Sequence, residues 1–322
     1  MDNPILGIDI SKKTFDVALL RGEKFKHKKF RNNEAGFKEL SEWLNRFEVE
    51  HLHACMEATS TYGEALAEHL FESGHQVSVV NPARIKGFAQ GELIRTKTDK
   101  SDASLIARFC LAMTPSLWSP EPHEIKLLRD LTRRYESLLS MRQQEVNRLD
   151  VSSKELQTDI QKHIVYLDKS IAQTKKRMSD HIDNHPDMKH KKELLSTIPG
   201  VGEATINVVL SEFSDMNRFD TAKHLASFIG LAPRHRLSGT SVRGRSAMSK
   251  IGNSQIRKSL FMPALVALKY NPILIEMRSR LLKAGKPKML IVGAAMRKLV
   301  HIIYGVLKNN QPFNPDFQVK TA

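Results

Sequence analysis

The chain begins with two short apolar stretches separated by a polar turn. Residues 5–20 read ILGIDISKKTFDVALL, in which apolar runs at 5–10 and 15–20 flank Ser-Lys-Lys. Runs of this length and composition predict a β-hairpin. One carboxylate, Asp9, falls inside the first strand. An unpaired buried carboxylate is costly, so either a metal ion or a partner compensates Asp9, or it faces solvent on an edge strand.

Strands and helices alternate through the first third of the chain, which predicts a mixed α/β domain. Asn33 stands where it can cap the first helix, and the strand after that helix ends in a second acid, Glu57. After the hairpin we expect a basic third strand at 23–31, a helix at 34–47, a strand at 51–57, a helix at 62–73 and a strand at 76–80.

Two further acids open the next predicted helix, at residues 96–109. Asp99 and Asp102 are three positions apart, which places both carboxylates on one helical face. Acids in a first helical turn are commonly caps and dipole partners. Together with Asp9 and Glu57, however, they form an oxygen-ligand set of the kind that suits Mg²⁺, so the sequence predicts a divalent-metal site.

Residues 121–190 contain no glycine and are rich in Lys, Arg, Glu and Gln, which predicts a long helical arm. Its apolar stripe approaches a heptad spacing. The stripe either packs against its own chain or forms a coiled coil with a partner chain, and its length favours dimerisation. The stripe consists of Val146, Leu149, Ser153, Leu156, Ile160, Ile164, Leu167 and Ile171.

Two apolar helices joined by Pro-Gly-Val-Gly occupy residues 194–213, a pattern typical of a helix-hairpin-helix. In that motif Gly200 and Gly202 let backbone amides approach a phosphate. An ordinary helical hairpin with a glycine turn fits the same residues. Further apolar helices are expected at 255–270, 272–283 and 287–308, followed by a flexible tail from residue 310.

Positive charge dominates the chain. Lys and Arg total 50 against 35 Asp and Glu, a formal net charge of +15, and the 55 positions 221–275 contain no acid. Such a surface favours a polyanion, in this size class most often nucleic acid. The residues expected to meet nucleic acid are Arg234, Arg236, Arg243, Arg245, Lys250, Asn253 and Arg257, together with Gly200 and Gly202.

Within that basic region, residues 234–253 form a Gly- and Ser-rich stretch, RHRLSGTSVRGRSAMSKIGN. A serine hydroxyl becomes a nucleophile when neighbouring cations and a base or metal activate it. The alternative is that serine before glycine simply makes a turn. On chemistry alone the candidates are Ser238, Ser241, Ser246 and Ser249.

The remaining composition is typical of an intracellular globular protein. Cys55 and Cys110 lie in separate apolar stretches without paired spacing, which predicts buried free thiols and argues against a disulfide or a zinc site. The N-terminus lacks the pattern of a signal peptide, and no apolar run approaches the roughly 20 residues of a membrane helix. We therefore expect a cytoplasmic protein with no membrane partner.

Several stretches resemble one enzyme family. GIDISKKTFDVAL around Asp9, CMEATSTYGEALAEHL around Glu57 and RTKTDKSDASLIARF around Asp99 and Asp102 are similar to the acid tetrad of the DEDD transposases of bacterial insertion sequences. Piv-type DNA invertases are similar too. Residues 230–233 (GLAP), 238–239 (SG) and 249–253 (SKIGN) resemble the family's C-terminal transposase domain, in the expected order.

The resemblance implies a fold for each part of the chain. It implies a ribonuclease-H-like (RuvC-like) α/β domain at residues 1–118, after which the composition and spacing described above predict the helical coiled-coil arm at 119–190. A mainly α-helical C-terminal transposase domain with the helix-hairpin-helix would follow at 191–309, and a flexible tail at 310–322.

The resemblance also implies a mechanism. Asp9, Glu57, Asp99 and Asp102 would hold Mg²⁺, and the serine of the Ser-Gly step, Ser238, would attack DNA to form a covalent phosphoserine link. Ser241 is the fallback. A noncoding bridge RNA would pair with donor and target DNA, and the enzyme would act as a homo-oligomer, dimer or tetramer, at the bacterial nucleoid.

Two other functions fit parts of the same sequence. A RuvC-like metal-dependent junction nuclease would use only the acid tetrad, with the C-terminal half merely binding DNA. A non-catalytic nucleic-acid-binding scaffold would use the positive surface alone. The transposase interpretation is favoured because the resemblance covers both ends of the chain.

Overall fold

The chain divides into two units, Met1–Glu121 and Pro122–Ala322, each with its own hydrophobic core. The computed structural model describes residues 4–58, 61–92, 99–234, 237–238, 242–243, 247–249 and 251–316, with the backbone alone at 99–100, 234, 237–238, 242–243 and 247. The domain limits expected from the sequence, at residues 118, 190 and 309, stay predictions.

A five-stranded mixed sheet forms the centre of the first unit, in the order β3-β2-β1-β4-β5. The first three strands form an antiparallel meander, while β4 and β5 run parallel to β1. This topology is compatible with the RuvC-like fold, and the predicted strands are confirmed. The strands are β1 Ile5–Ile10, β2 Thr14–Arg21, β3 Lys24–Arg31, β4 His53–Glu57 and β5 Gln76–Val80.

The central strands bury both of their faces. Leu6 and Ile8 belong to one apolar cluster, whereas Ile5 and Cys55 belong to another, because successive side chains of a strand point to opposite faces. The first cluster includes side chains from α1 and α2, and the second includes side chains from α3 and α4. The helices are α1 Glu34–Asn45, α2 Glu64–Glu72, α3 Pro82–Gly91 and α4 Asp99–Met113.

Two long antiparallel helices, α5 His123–Leu149 and α6 Lys154–Asp183, open the second unit. Arg142 Nε lies 2.5 Å from a carboxylate oxygen of Asp168 across the pair. The predicted stripe is divided between two environments: Ile164 and Leu167 are buried within this unit, while Leu156 is 56% exposed. Packing against its own chain therefore accounts for part of the stripe. Dimerisation and a coiled coil stay predictions.

The core of the second unit is built around its last helix. The helices after the arm are α7 Pro186–Ser196, α8 Glu203–Glu212, α9 Ala222–Ile229, α10 Ser254–Ser259, α11 Phe261–Tyr270, α12 Pro272–Lys283 and α13 Lys288–Asn309. In α13, Ala295, Leu299, Val300 and Ile303 are fully buried. The segment after α13 stays attached, because the Phe313 amide donates a 2.8 Å hydrogen bond to Thr197 Oγ1.

Helix α13 corrects one expectation from the sequence. It has 22 residues and a most apolar window of mean hydropathy 1.6, so by length and composition it is apolar enough to cross a membrane. The helical segments 254–270 and 272–283 are also long and apolar enough when they are taken together as one span, which is bent by 87°. Because the buried side chains of α13 lie in the core of the second unit, core packing accounts for its composition.

Candidate active site

Two of the predicted acids lie side by side at the ends of parallel strands. β1 and β4 pair in a register that sets Gly7 beside Cys55 and Ile8 beside Met56, so Asp9 and Glu57 are the next positions along. The two acids share the sheet face of Gly7 and Cys55, because residues two apart on a strand point the same way. Both are half-buried. The sheet thus brings these two carboxylates together.

Helix α4 closes against this face at Gly7. A Cβ built on Gly7 would lie 2.1 Å from the carbonyl oxygen of Ala103 and 2.4 Å from the backbone nitrogen of Ala107. Further along the helix, Cys110 shares a cluster with Ile5, at the opposite end of β1 from Asp9. The helix therefore runs antiparallel to β1, and its first turn lies at the strand end that carries Asp9.

That first turn contains the other two predicted acids. Asp102 is half-buried, one position before Ala103, and Asp99 is the first residue of the helix. The side chain of Asp99 lies outside the described residues. Among the side chains that are described, no group of three or more His, Cys, Asp or Glu residues could hold a metal ion. Carboxylate oxygens are nevertheless the ligands that suit a hard divalent cation.

We expect Gly7→Ala to destabilise the first unit by about 1–3 kcal/mol or more, because the new methyl group meets backbone atoms of α4 that no side-chain rotation can clear. Thermal and urea unfolding of the purified protein measure the change. Gly87→Ala is the matched control, since Gly87 lies in α3 and a Cβ there meets nothing within 4 Å. If the two variants were equally stable, the close approach of α4 would be wrong.

A fifth acid, Asp16, was missed by the sequence reasoning. It is the register partner of Asp9 on β2, so both point to the same face, and it is 91% buried, with 9% of its surface exposed. Its carboxylate forms a 2.9 Å ion pair with Lys29. The signal was present in the hairpin, because pairing Ile5 with Leu20 places residue 9 opposite residue 16.

Both cysteines are buried and free, as predicted. Cys55 lies two residues before Glu57, and a hydrogen bond with Cys110, reinforced by burial, raises the pKa of Cys55 far above its usual range. A protonated thiol adds no charge to the sheet face that carries the acids. Cys55 therefore acts as neutral packing between β4 and α4.

In the second unit the predicted nucleophile lies in a small nested β-hairpin. The outer strands β6 Pro233–Arg234 and β9 Ala247–Met248 pair with each other, and the inner strands β7 Leu237–Ser238 and β8 Val242–Arg243 pair in turn. Ser238 is the register partner of Val242 and ends β7. Ser241, Ser246, Arg236, Arg245 and Lys250 lie outside the described residues.

Two residues predicted to meet nucleic acid, Asn253 and Arg257, also have contacts within the chain. The side chain of Asn253 caps α10 by accepting hydrogen bonds from the amides of Gln255 and Ile256. Arg257 donates a 3.0 Å hydrogen bond to the carbonyl oxygen of Ile229, at the end of α9. These contacts fix the backbone next to the nested hairpin, and nucleic-acid binding by these residues stays a prediction.

The glycine turn between α7 and α8 is tightly packed on one side. Gly200 has a positive φ of 98°, and a Cβ there would lie 2.7 Å from the Cα of Ala267 on α11. Gly202 caps α8, and a Cβ on it would meet nothing within 4 Å. Glycine at position 200 is therefore required by the fold of this unit, whereas position 202 is open. Phosphate binding at this turn stays a prediction.

Helix α13 carries basic side chains that the sequence reasoning read only as part of a core helix. Nη1 of Arg297 and Nε2 of His301 are buried without a hydrogen-bond partner among the described residues. Burial, with the positive charges of Arg297, Lys298 and Lys223, lowers the pKa of His301 to about 4. His301 is therefore neutral at neutral pH, and the positive charge there belongs to Arg and Lys.

Comparison with known proteins adds the family to this geometry. A DEDD transposase model of the IS110 type matches residues 6–152, and the model for the transposase IS116/IS110/IS902 family matches residues 192–278. Two proteins named pilin gene-inverting protein, from Moraxella bovis and Moraxella lacunata, are 38% and 37% identical over 320 residues, covering 98% of each chain.

A transposase for the insertion sequence element IS1328 of Yersinia enterocolitica is 21% identical over 234 residues, covering 62% of this chain and 66% of that one. The matched segments contain Asp9, Glu57, Asp99 and Asp102 in the first model and Ser238 in the second. The resemblance noted in the sequence is therefore confirmed. The chain belongs to the IS116/IS110/IS902 family of transposases, is also similar to proteins named pilin gene-inverting protein, and is an enzyme that cleaves and rejoins DNA.

Proposed function

We propose that the chain is a DNA recombinase in which Ser238 attacks a DNA phosphodiester and the acids Asp9, Glu57, Asp99 and Asp102 hold Mg²⁺. The DEDD family is metal-dependent, and Mg²⁺ is our assignment within it. One observation carries the proposal: Asp9 and Glu57 are neighbours on one sheet face, and the first turn of α4 lies at the same strand ends. This arrangement supports an acid site of the predicted composition.

The acids and the serine have separate roles in the proposed reaction. Asp9, Glu57, Asp99 and Asp102 would hold a divalent cation, which when bound would supply positive charge next to the phosphate, where negative charge increases in the transition state. Asp9 and Glu57 on two paired strands fix the spacing of two ligands. Closure of α4 on Gly7 fixes the approach of the other two, Asp99 and Asp102. Small displacements of such ligands carry large costs in rate.

The serine step conserves the energy of the phosphodiester. The Ser238 oxygen forms a bond to phosphorus, the bond from phosphorus to a deoxyribose oxygen breaks, and the proton of the serine leaves with that oxygen. The product is a phosphoserine ester and a free DNA hydroxyl. Attack of a second DNA hydroxyl reverses these bond changes and rejoins the strands, so no external energy source is needed.

Nucleic-acid binding is assigned to the second unit. Positions 221–275 carry no acid, and the predicted contacts cluster around the nested hairpin that contains Ser238. We assign donor and target DNA, and a noncoding bridge RNA that pairs with both, to this surface and to the helix-hairpin-helix turn. Assembly as a dimer or tetramer through the helical arm would join acids and serine from different protomers near the nucleoid.

Inversion of a DNA segment is the second outcome that we consider. The likeness to the two pilin gene-inverting proteins extends over 98% of each chain, whereas the likeness to the IS1328 transposase covers about two thirds. Inversion and transposition share the cleavage and rejoining steps. A plasmid that carries two recombination sites in inverted orientation distinguishes them, because inversion retains the segment on the same molecule.

Guidance by RNA has a direct test. We expect recombination of a plasmid that carries the DNA flanking this gene to be lost when the purified protein is treated with RNase, because target choice is assigned to base pairing. The transcript of the flanking noncoding DNA should restore it, and a scrambled transcript of equal length should not. Full activity of an RNase-treated protein without copurified RNA would show that the protein selects its DNA sites alone.

A further inference from the structure

The acid site continues into the neighbouring strands β2 and β3 through an ion pair whose carboxylate is buried and whose ammonium group is half-exposed. Asp16 on β2 is the register partner of both Asp9 on β1 and Lys29 on β3. The Asp16 side chain is only 13% exposed, and its carboxylate lies 2.9 Å from Nζ of Lys29, which is 51% exposed. A row of charges therefore crosses the sheet on one face, in the order Lys29, Asp16, Asp9 and then Glu57.

Helix α4 packs on the same sheet face as this row of charges. His27, two positions before Lys29 and on the same face of β3, forms a 2.7 Å hydrogen bond with Ser104 Oγ. Ser104 is two positions after Asp102. The start of α4 thus contacts β3, the edge strand of the sheet, as well as β1, and this places the Lys29–Asp16 pair beside the site.

Stability alone gives a weak reason for this pair. The other side chains of β2 between Phe15 and Leu20 are all apolar and buried. A cross-strand ion pair contributes little more than an apolar pair of similar size, and burying a carboxylate is costly. Like charges directly opposite each other, as in Asp9 and Asp16, are unfavourable. A gain in stability therefore does not account for an ion pair at this position.

We propose that Lys29 and Asp16 form a charge-balancing couple that sets the affinity of the acid site for a divalent cation. This inference rests on the proposed metal-carboxylate function. The positive charge of Lys29 offsets the negative charge of Asp16. The net negative charge that attracts the cation therefore comes from the carboxylates of Asp9 and Glu57. Asp16 in turn keeps the ammonium group of Lys29 2.9 Å from its own carboxylate. Both are positioning residues, because they act through Asp9.

The couple predicts opposite effects for its two members. Asp16→Asn removes one negative charge and leaves the Lys29 charge in place, so the Kd for Mn²⁺ should rise by about three- to thirtyfold. Lys29→Gln removes one positive charge, so the Kd should fall by a similar factor. The double variant should return close to the original Kd. A purely structural role would weaken binding in both single variants.

Isothermal titration calorimetry with Mn²⁺ on the full-length protein measures the three Kd values, and thermal unfolding confirms that each variant is folded. Lys26→Gln is the matched control, because Lys26 is on the same strand but pairs with Leu19 on the opposite sheet face. Its Kd should change by less than about twofold. If Asp16→Asn fails to fold, Lys29→Gln carries the test alone through its tighter binding.

Asp9→Asn separates failure of the couple from failure of the proposed function. If Asp9→Asn removes Mn²⁺ binding and Lys29→Gln does not tighten it, the charge-balancing couple is wrong and the acid site stands. If Asp9→Asn leaves Mn²⁺ binding unchanged, the acid site itself is wrong, and the couple falls with it. Opposite shifts for Asp16→Asn and Lys29→Gln, cancelling in the double variant, support the couple.

Discussion

Ser238→Ala is expected to abolish both the covalent protein–DNA adduct and strand exchange, lowering recombination by more than about a thousandfold. The alanine lacks the oxygen that would bond to phosphorus. The fold should be retained, because Ser238 pairs with Val242 through the backbone, and a two-residue ladder needs no hydroxyl. The adduct is measured as labelled DNA that resists SDS and is released by protease.

Two serines in the same region provide controls for Ser238→Ala. Ser249→Ala should keep the adduct, since Ser249 Oγ accepts a 3.4 Å hydrogen bond from the Ile251 amide and takes part in a turn. Ser241→Ala tests the fallback nucleophile. If the adduct survives in Ser238→Ala and disappears in Ser241→Ala, the assignment moves to Ser241. Cleavage that persists in Ser238→Ala without any adduct would support a nuclease that uses water.

The strands of the first unit were predicted from the sequence, but their pairing was only partly accessible. Apolar runs bounded by polar turns are enough to locate strands. Register is harder, because residues 5–8 and 17–20 are buried on both faces and carry no alternation to fix it. For this reason Asp16 was not recognised as the partner of Asp9, although both acids were visible in the sequence.

The helical arm shows a different limit. Apolar spacing correctly predicted helices, but the same spacing arises whether a stripe packs on its own chain or on a second one. The spacing predicts Ser153 as part of the stripe, whereas the structure places it between α5 and α6, as the residue immediately before α6. Serine is common at that position because its short polar side chain favours caps.

The glycine turn and the basic loop depend on long-range contacts that local patterns do not encode. The sequence pattern predicts Gly200 as an approach point for phosphate, yet the residue nearest to a Cβ at this position is Ala267, 67 positions away. A glycine in the sequence indicates that something approaches the backbone closely at that position, but it does not identify the neighbour. The nested hairpin of β6 to β9 escaped prediction because its paired strands are only two residues long.

Asp9→Asn should lower recombination by at least about a hundredfold, because one of two neighbouring strand carboxylates loses its charge while its shape is retained. Glu57→Gln should have a similar effect. Glu50→Gln is the matched control. Because Glu50 is exposed in the loop before β4, the Glu50→Gln protein should recombine DNA at the normal frequency. Recombination is measured by the frequency of joined plasmid products, and DNA binding by a gel-shift assay.

The stability of Asp9→Asn gives a second measurement that does not depend on DNA. Without a divalent cation, Asp9 faces Asp16 across the strand pair, so removing its charge should raise the melting temperature in EDTA. A ligand that binds only the folded state stabilises it. Mg²⁺ should therefore stabilise the original protein more than Asp9→Asn. Normal recombination by Asp9→Asn and Glu57→Gln would show that the acids are not catalytic and would favour a scaffold. If instead activity is lost and the response to Mg²⁺ disappears with it, both effects originate at the strand ends where Asp9 and Glu57 lie.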